Sequence, residues 1–351
     1  MPGRFLHPFA KPTRESFITL VRGEGARVWT ADGRELVDGM ASLWYCAVGH
    51  GRRDMAEAVM NQMTQLEAYS AFDPFTTGPA DEVAERIAGL SPVEGARVFL
   101  CGSGSEAVDS AMKLAGVSHV QAGRPERTVI ISRTRGYHGT NYGGTSAQGI
   151  APNKAGYGVL LEDVIQVDAD DIEVMSLEME RHSGRMAAVI AEPVQGAGGV
   201  FPADDEYLRS LRRLCDRHGA YLIFDEVITG FGRLGEWFGA SHYGVTPDMI
   251  CFAKAVTSGY QPLGGVVCGR AVTAPLESDP DFFLRHGYTY SGHASVCAAA
   301  LKNMDIIRDE GLLARAGTIG ARLSEGLRSL AADGTIAGVR GRGAEIGRAH
   351  V

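Results

Sequence analysis

The sequence predicts an α/β protein, with a mostly parallel central sheet covered by helices, a small lobe ahead of it and an incomplete lobe behind. Two observations point there. Between about Ser70 and Ala300 one theme recurs: a short apolar run, a polar or glycine-rich cluster, then a helical segment. The runs are also continuously apolar, as in strands buried on both faces. ARVFLC, RTVIIS, MAAVIA, AYLIFD and DMICFA carry the pattern. In such sheets ligands bind beyond the carboxyl ends of the strands. Each polar cluster directly follows its strand, so the five clusters converge on one crevice.

Residues 1–69 read as the N-terminal lobe. ARVWTADGRELVDG places two extended runs around Asp32-Gly33, a hairpin signal. A helix follows from about Arg52 to Ala68, with Met55, Val59, Met63 and Leu66 on one stripe and the methionines read as core. Residues 70–300 read as the large domain. Its first helix takes Ser105 as N-cap and buries Val108, Ala111, Met112 and Ala115. From Leu301 to residue 351 a further lobe opens, helical at first, then GTIAGVRGRG. That lobe has too few strands to close a core, so the chain is expected to be truncated. Residues 345–351, EIGRAHV, read as a translated library adapter foreign to the natural protein.

The net charge of -8, with no basic tract to offset it, argues against a nucleic-acid or anionic-membrane surface. No stretch of 18 apolar residues occurs, and MPGRFLHPFAKP lacks an apolar signal core, so neither a membrane span nor a signal peptide is expected. The six cysteines are scattered without a C-x-x-C pair. They read as reduced thiols of a cytoplasmic protein, neither staples nor metal ligands. No metal is expected.

The strand-end clusters carry the chemistry. Ser103, Gly104 and Ser105 precede a helix whose N-terminal N–H groups form a ready phosphate site. Taken alone, they are also an ordinary capped glycine turn. Tyr137, in GYHG, offers a ring to stack on a flat ligand, and its neighbour His138 alone reads as a loop histidine. Glu192 ends a third strand. Asp225 and Glu226 follow four residues that should be buried, and a buried carboxylate needs a cationic partner. Lys254 ends the run MICFA, where a solvated loop lysine is the everyday reading. Together they supply phosphate anchoring, ring stacking, a partner for a pyridinium N–H and a Schiff-base lysine. Pyridoxal 5′-phosphate needs all four.

The motifs GSGSEAVDSAMKLA, GYHG, EPVQGAGGV, FDEVITGFGR, FAKAVTSGYQPLGG and YTYSGH, in that order, resemble the class III (fold type I) pyridoxal-phosphate-dependent aminotransferases, in particular the ω-amino acid and amine:pyruvate branch. The resemblance implies a fold type I transferase in which Lys254 and Asp225 are catalytic. It implies that Ser103, Gly104 and Ser105 hold the phosphate, with His138 and Glu192 also lining the cofactor site. Tyr137 and Val227 would sandwich the ring, and Trp44, Tyr137 and Tyr288 would line the substrate pocket. Trp44 by itself also reads as core packing. Thr289 would reach the cofactor phosphate from the partner subunit, which implies a homodimer. The implied substrates are an amine donor and a keto acid such as pyruvate.

Two departures stand out. Ile228 occupies the place of a glutamine in many ornithine- and GABA-type relatives, which favours the ω-transaminase branch. The arginine that relatives use for a substrate carboxylate would lie beyond Val351. A decarboxylase or aminomutase of the same fold, or a chain that binds the cofactor without turnover, stays open. A nucleotide-binding oxidoreductase is disfavoured because no G-x-G-x-x-G follows a strand.

Overall fold

The computed structural model describes residues 4–349, the side chains of 348 and 349 excepted. The N-terminal lobe is a three-stranded antiparallel sheet of β1 (Leu20–Glu24), β2 (Arg27–Thr30) and β3 (Glu35–Val37). Gly33 takes φ +87° in the predicted turn, a conformation glycine adopts without Cβ strain. A distorted turn, α1 (Ala41–Trp44), leads to α2 (Arg53–Leu66). Only the first half of the predicted stripe on α2 is core. Met55 and Val59 are buried, but Met63 is 52% exposed, with Met60 and Leu66 exposed beside it. The methionine reading is corrected accordingly, because the second half of α2 leaves an apolar face uncovered.

After α3 (Gly78–Leu90) the central sheet begins. Its strands are β4 (Arg97–Cys101), β5 (Val129–Arg133), β6 (Val164–Val167), β7 (Met186–Ala191), β10 (Tyr221–Asp225), β11 (Met249–Phe252) and β12 (Gly264–Cys268), in the spatial order β4-β12-β11-β10-β7-β5-β6. A small hairpin of β8 (Val194–Gln195) and β9 (Phe201–Pro202) lies outside it. The five predicted strands are all present. β6 is an addition at the edge, and β12 is a further strand beyond the five predicted. β12 is antiparallel to both β11 and β4. A Cβ on Gly264 would lie 2.5 Å from the Ser103 carbonyl oxygen, and one on Gly265 2.5 Å from that of Phe99. Two glycines therefore let this strand slot between close backbones.

Alternate residues of one strand enter opposite cores. Leu222 and Phe224 pack on one face of β10, and Tyr221 and Ile223 on the other. α4 (Gly104–Gln121) covers the second face through Val108, Ala111 and Ala115. α5 (Tyr142–Ala147) follows β5. The opposite face is covered by α6 (Ile172–Arg181) with Met175 and Met179, and by α7 (Asp205–His218) with Leu208 and Leu211. Removing each such side chain from water contributes about 1.5–3 kcal/mol. This two-sided burial explains why the strands are continuously apolar.

α8 (Gly239–Tyr243) and α9 (Arg270–Glu277) flank the neighbouring strands. α10 (Ala294–Asp309) runs unbroken through the 300/301 boundary, and Gly311, at φ +64°, separates it from α11 (Leu312–Ala332). β13 (Gly338–Arg342) and β14 (Glu345–Ala349) form a hairpin, so most of EIGRAHV is paired strand, while residues 350 and 351 lie outside the described residues. All six cysteines are free.

Candidate active site

β4, β5, β7, β10 and β11 point the same way, so their carboxyl ends share one edge. At β4 the chain turns through Gly102 into α4. Ser103, not Ser105, is the N-cap: its backbone is extended and its Oγ accepts the Glu106 N–H at 3.2 Å. Glu106 reaches back to the Gly102 N–H at 2.6 Å. Ser105 is the second residue of the helix, and its Oγ accepts the Thr140 N–H at 3.0 Å. The N–H groups of Gly104 and Ser105 have no acceptor within the helix and face its positive end. Gly104 is held close to β10's loop, since a Cβ there would lie 2.8 Å from Val227 Cγ1.

The β5 loop brings His138 to Asp225 at the end of β10. His138 Nδ1 and Asp225 Oδ2 are hydrogen-bonded at 2.8 Å, and both residues are buried. Asp225 Oδ1 accepts the Val227 N–H at 3.1 Å. Glu192, after β7, accepts the Tyr137 N–H at 2.9 Å and the Gly196 N–H at 3.2 Å. Burial, with the nearby Asp225 charge, pushes the Glu192 carboxyl upward against the opposing pull of His138 and Arg133. Tyr137 is half-buried, and burial followed by Asp225 raises its phenol.

Lys254 follows β11 at φ +48°, in the left-handed region a β-carbon makes costly. Burial lowers its pKa, against the attraction of Asp225, Glu192 and Glu345. Among the described residues Nζ makes no hydrogen bond or ion pair, and the Trp44 ring centroid lies 5.7 Å away. A desolvated, unpartnered amine is the state in which lysine attacks a carbonyl.

The whole of residues 9–349 matches the sequence profile of the family described as aminotransferase class-III. The chain belongs to the class-III aminotransferases. Among its relatives, the β-alanine–pyruvate aminotransferase of Pseudomonas aeruginosa is 37% identical, covering 89% of this chain and 74% of that protein. The ω-aminotransferase of Caulobacter vibrioides is 36% identical over 98% of this chain and 83% of its own. A thermostable (S)-enantioselective ω-transaminase from Thermomicrobium roseum superposes with a TM-score of 0.92 at 38% identity, covering 96% and 80% of the two chains. An amine transaminase from an uncultivated Pseudomonas species, solved with pyridoxal phosphate bound, gives 0.94 at 36% identity, covering 98% and 83%.

In this aminotransferase Trp44 is more than packing. Its indole N–H donates to Glu345 Oε1 at 3.0 Å, and its carbonyl accepts from Arg233 Nη2 at 2.9 Å. Sequence reasoning missed Glu345, Arg233 and Arg133. Arg133 is a buried arginine ending an apolar strand, and it donates to the carbonyl oxygens of Glu192 and Ala169. That charge in a buried run was its one visible signal. Tyr288 points its hydroxyl at Ser110 Oγ and the Glu106 carbonyl on α4, each at 3.3 Å. Thr289 is exposed and lines a separate cavity with Tyr69, Phe72, Tyr290 and His293. No helix among the described residues is long and apolar enough to cross a membrane.

Proposed function

We propose that this aminotransferase moves an amino group from an ω-amino acid or amine donor to a keto acid such as pyruvate, using pyridoxal 5′-phosphate held at the shared strand edge. The observation that carries the reading is an unpartnered, desolvated Lys254 at the same sheet edge as the buried Asp225–His138 pair. The residues present fit the cofactor. Gly104 has no room for a Cβ beside Val227, and Asp225 is a buried carboxylate with lone pairs to spare. The Gly104 and Ser105 N–H groups, with Ser103 as cap, would hold the phosphate. Tyr137 and Val227 would sandwich the ring, and Asp225, oriented by His138, would accept the ring N–H. When bound, the cofactor supplies an aldehyde for a lysine and a ring that accepts an electron pair.

The chain's own residues do the rest. Lys254 Nζ, desolvated by burial, would take a proton from the donor's amine-bearing carbon and deliver it to the cofactor's aldehyde-derived carbon within the same half-reaction, and the keto-acid half-reaction would run that transfer backwards. Glu192 fixes the Tyr137 backbone, and Trp44, tethered to Glu345, shields Lys254 from water. The aminotransferase acts as a cytoplasmic homodimer in this reading, with Thr289 serving the partner subunit's phosphate. Exposed Tyr69, Phe72, Phe75 and Tyr290 support that surface, since isolated chains rarely leave such rings in water.

The test is a visible absorption spectrum of the protein with pyridoxal phosphate. A protein-bound band that bleaches with an amine donor and returns with pyruvate is expected. Carbon dioxide release or an isomerised product in place of keto-acid-dependent transfer would favour a decarboxylase or an aminomutase.

A further inference from the structure

The loop between β3 and α2 holds a second cluster of reactive side chains. Asp38, Cys46 and His50 each turn one ligand atom inward, and the three atoms lie within 4.8 Å of one another. His50 Nε2 and Asp38 Oδ2 are 2.8 Å apart. The sequence reading counted every cysteine as a plain thiol, yet Cys46-Ala47-Val48-Gly49-His50 has the short spacing of zinc ligands on one loop. Cys46 is also set apart from the other five cysteines, which are buried while it is partly accessible.

The loop is braced rather than slack. Gly25 and His50 exchange backbone hydrogen bonds of 3.0 and 2.9 Å. The Val48 N–H donates to Ser258 Oγ at 3.2 Å, and Tyr260 OH donates to the Gly49 carbonyl at 2.9 Å. Asp38 Oδ2 is itself oriented by the Ser42 N–H at 2.7 Å, the supporting hydrogen bond that carboxylate ligands of metals use. A cavity of 480 Å³, lined by Asp38, Cys46, Gly49 and Arg233 among others, opens onto the cluster and gives an ion a way in.

We infer that Asp38, Cys46 and His50 are a three-ligand site for a borderline-soft divalent cation, Zn²⁺ above all, with water from the cavity as fourth ligand. Bonds of roughly 2.0–2.3 Å to O, N and S put tetrahedral ligand atoms about 3.5 Å apart. With Asp38 Oδ2 and His50 Nε2 at 2.8 Å and all three ligand atoms within 4.8 Å, small side-chain rotations reach that spacing. The Asp38–His50 hydrogen bond is exchanged for two metal bonds, and Cys46 binds as thiolate, its proton leaving to solvent. A thiolate, an imidazole and a carboxylate together select Zn²⁺ over Mg²⁺ or Ca²⁺, which prefer all-oxygen shells. Trp44 lies between Asp38 and Cys46 in sequence, so an occupied site braces the segment that covers Lys254.

The experiment uses the untagged, cofactor-loaded protein and Zn²⁺ alone. Calorimetry should show a single strong Zn²⁺ site, and Zn²⁺ should slow alkylation of Cys46 by iodoacetamide at least about tenfold, reversed by a chelator. Cys46→Ser and His50→Asn should each weaken binding by about tenfold or more, with the melting curve reporting that each variant folds. If Asp38 and His50 only hold the loop together, the unaltered protein will not bind Zn²⁺. That result, or binding unchanged in Cys46→Ser and His50→Asn, overturns the site.

Discussion

His138 Nδ1 lies 2.8 Å from Asp225 Oδ2, so a residue of the β5 loop orients the carboxylate that ends β10. Neither residue is near the other in sequence, and both are buried. A buried carboxylate with one oxygen on an imidazole and the other on the Val227 N–H has a fixed direction. Asp225→Asn keeps the shape and removes the charge. Transamination kcat should fall by about a hundredfold or more, with KM for the donor changing far less. Wild-type kcat in this variant would remove Asp225 from the reaction.

Lys254 holds its place at a cost to the cofactor-free protein. Burial lowers its pKa below the ordinary value of 10.5. The folded state thus binds this proton less tightly than the unfolded chain, and its stability rises as pH climbs through the lowered folded value toward 10.5. The penalty is full only below that lowered folded value. Lys254→Met should abolish transamination, yet raise the melting temperature of the cofactor-free protein by about 2–4 °C. Turnover in that variant, or a lower melting temperature, would contradict the account.

Glu226 titrates the other way. Its carboxylate accepts from the Ala240 N–H at 2.8 Å, from Thr229 Oγ1 at 2.9 Å and from the Gly239 N–H, and burial still pushes it up to about 7. A raised carboxyl binds its proton more tightly when folded, so its contribution is full below the ordinary 4.5 and is lost as pH rises to about 7. Melting temperature should therefore fall between about pH 5 and about pH 7.5, and Glu226→Gln should flatten that fall. An unchanged slope would assign it to other groups.

Gly104 is a contact position. A Cβ there would lie 2.8 Å from Val227 Cγ1 and 2.9 Å from Cγ2. Gly104→Ala should push the α4 N-terminus away from the Val227 loop and weaken pyridoxal phosphate binding by about tenfold, roughly 1.4 kcal/mol, measured by cofactor titration. Adding Val227→Ala should recover much of the loss. Full affinity in the single variant would show that the close approach is not needed.

Much of the site was legible because the relevant signals are local. A continuous apolar run followed by Asp225 or Lys254 announces a buried strand ending in a charged group, whatever lies around it. The N-cap was misjudged by two residues because Ser103 and Ser105 have equal capping chemistry, and only the extended backbone at Ser103 separates them. β12 was hidden because GGVVC reads as a loop opening. Its glycines are there to admit the backbones of Ser103 and Phe99, which the sequence places far away.

By itself the sequence determined the α/β class, the five parallel strands, and Asp225 and Lys254 as strand-end residues. It could do so because hydrophobic periodicity and strand ends are written within a dozen neighbouring residues. The tertiary structure alone decided the His138–Asp225 bond, the Trp44–Glu345 tether across 301 positions, and the meeting of Asp38, Cys46 and His50. Those depend on sheet order and on where each loop closes. Strand register brings distant side chains within 3 Å or leaves them apart, and no local pattern records that choice.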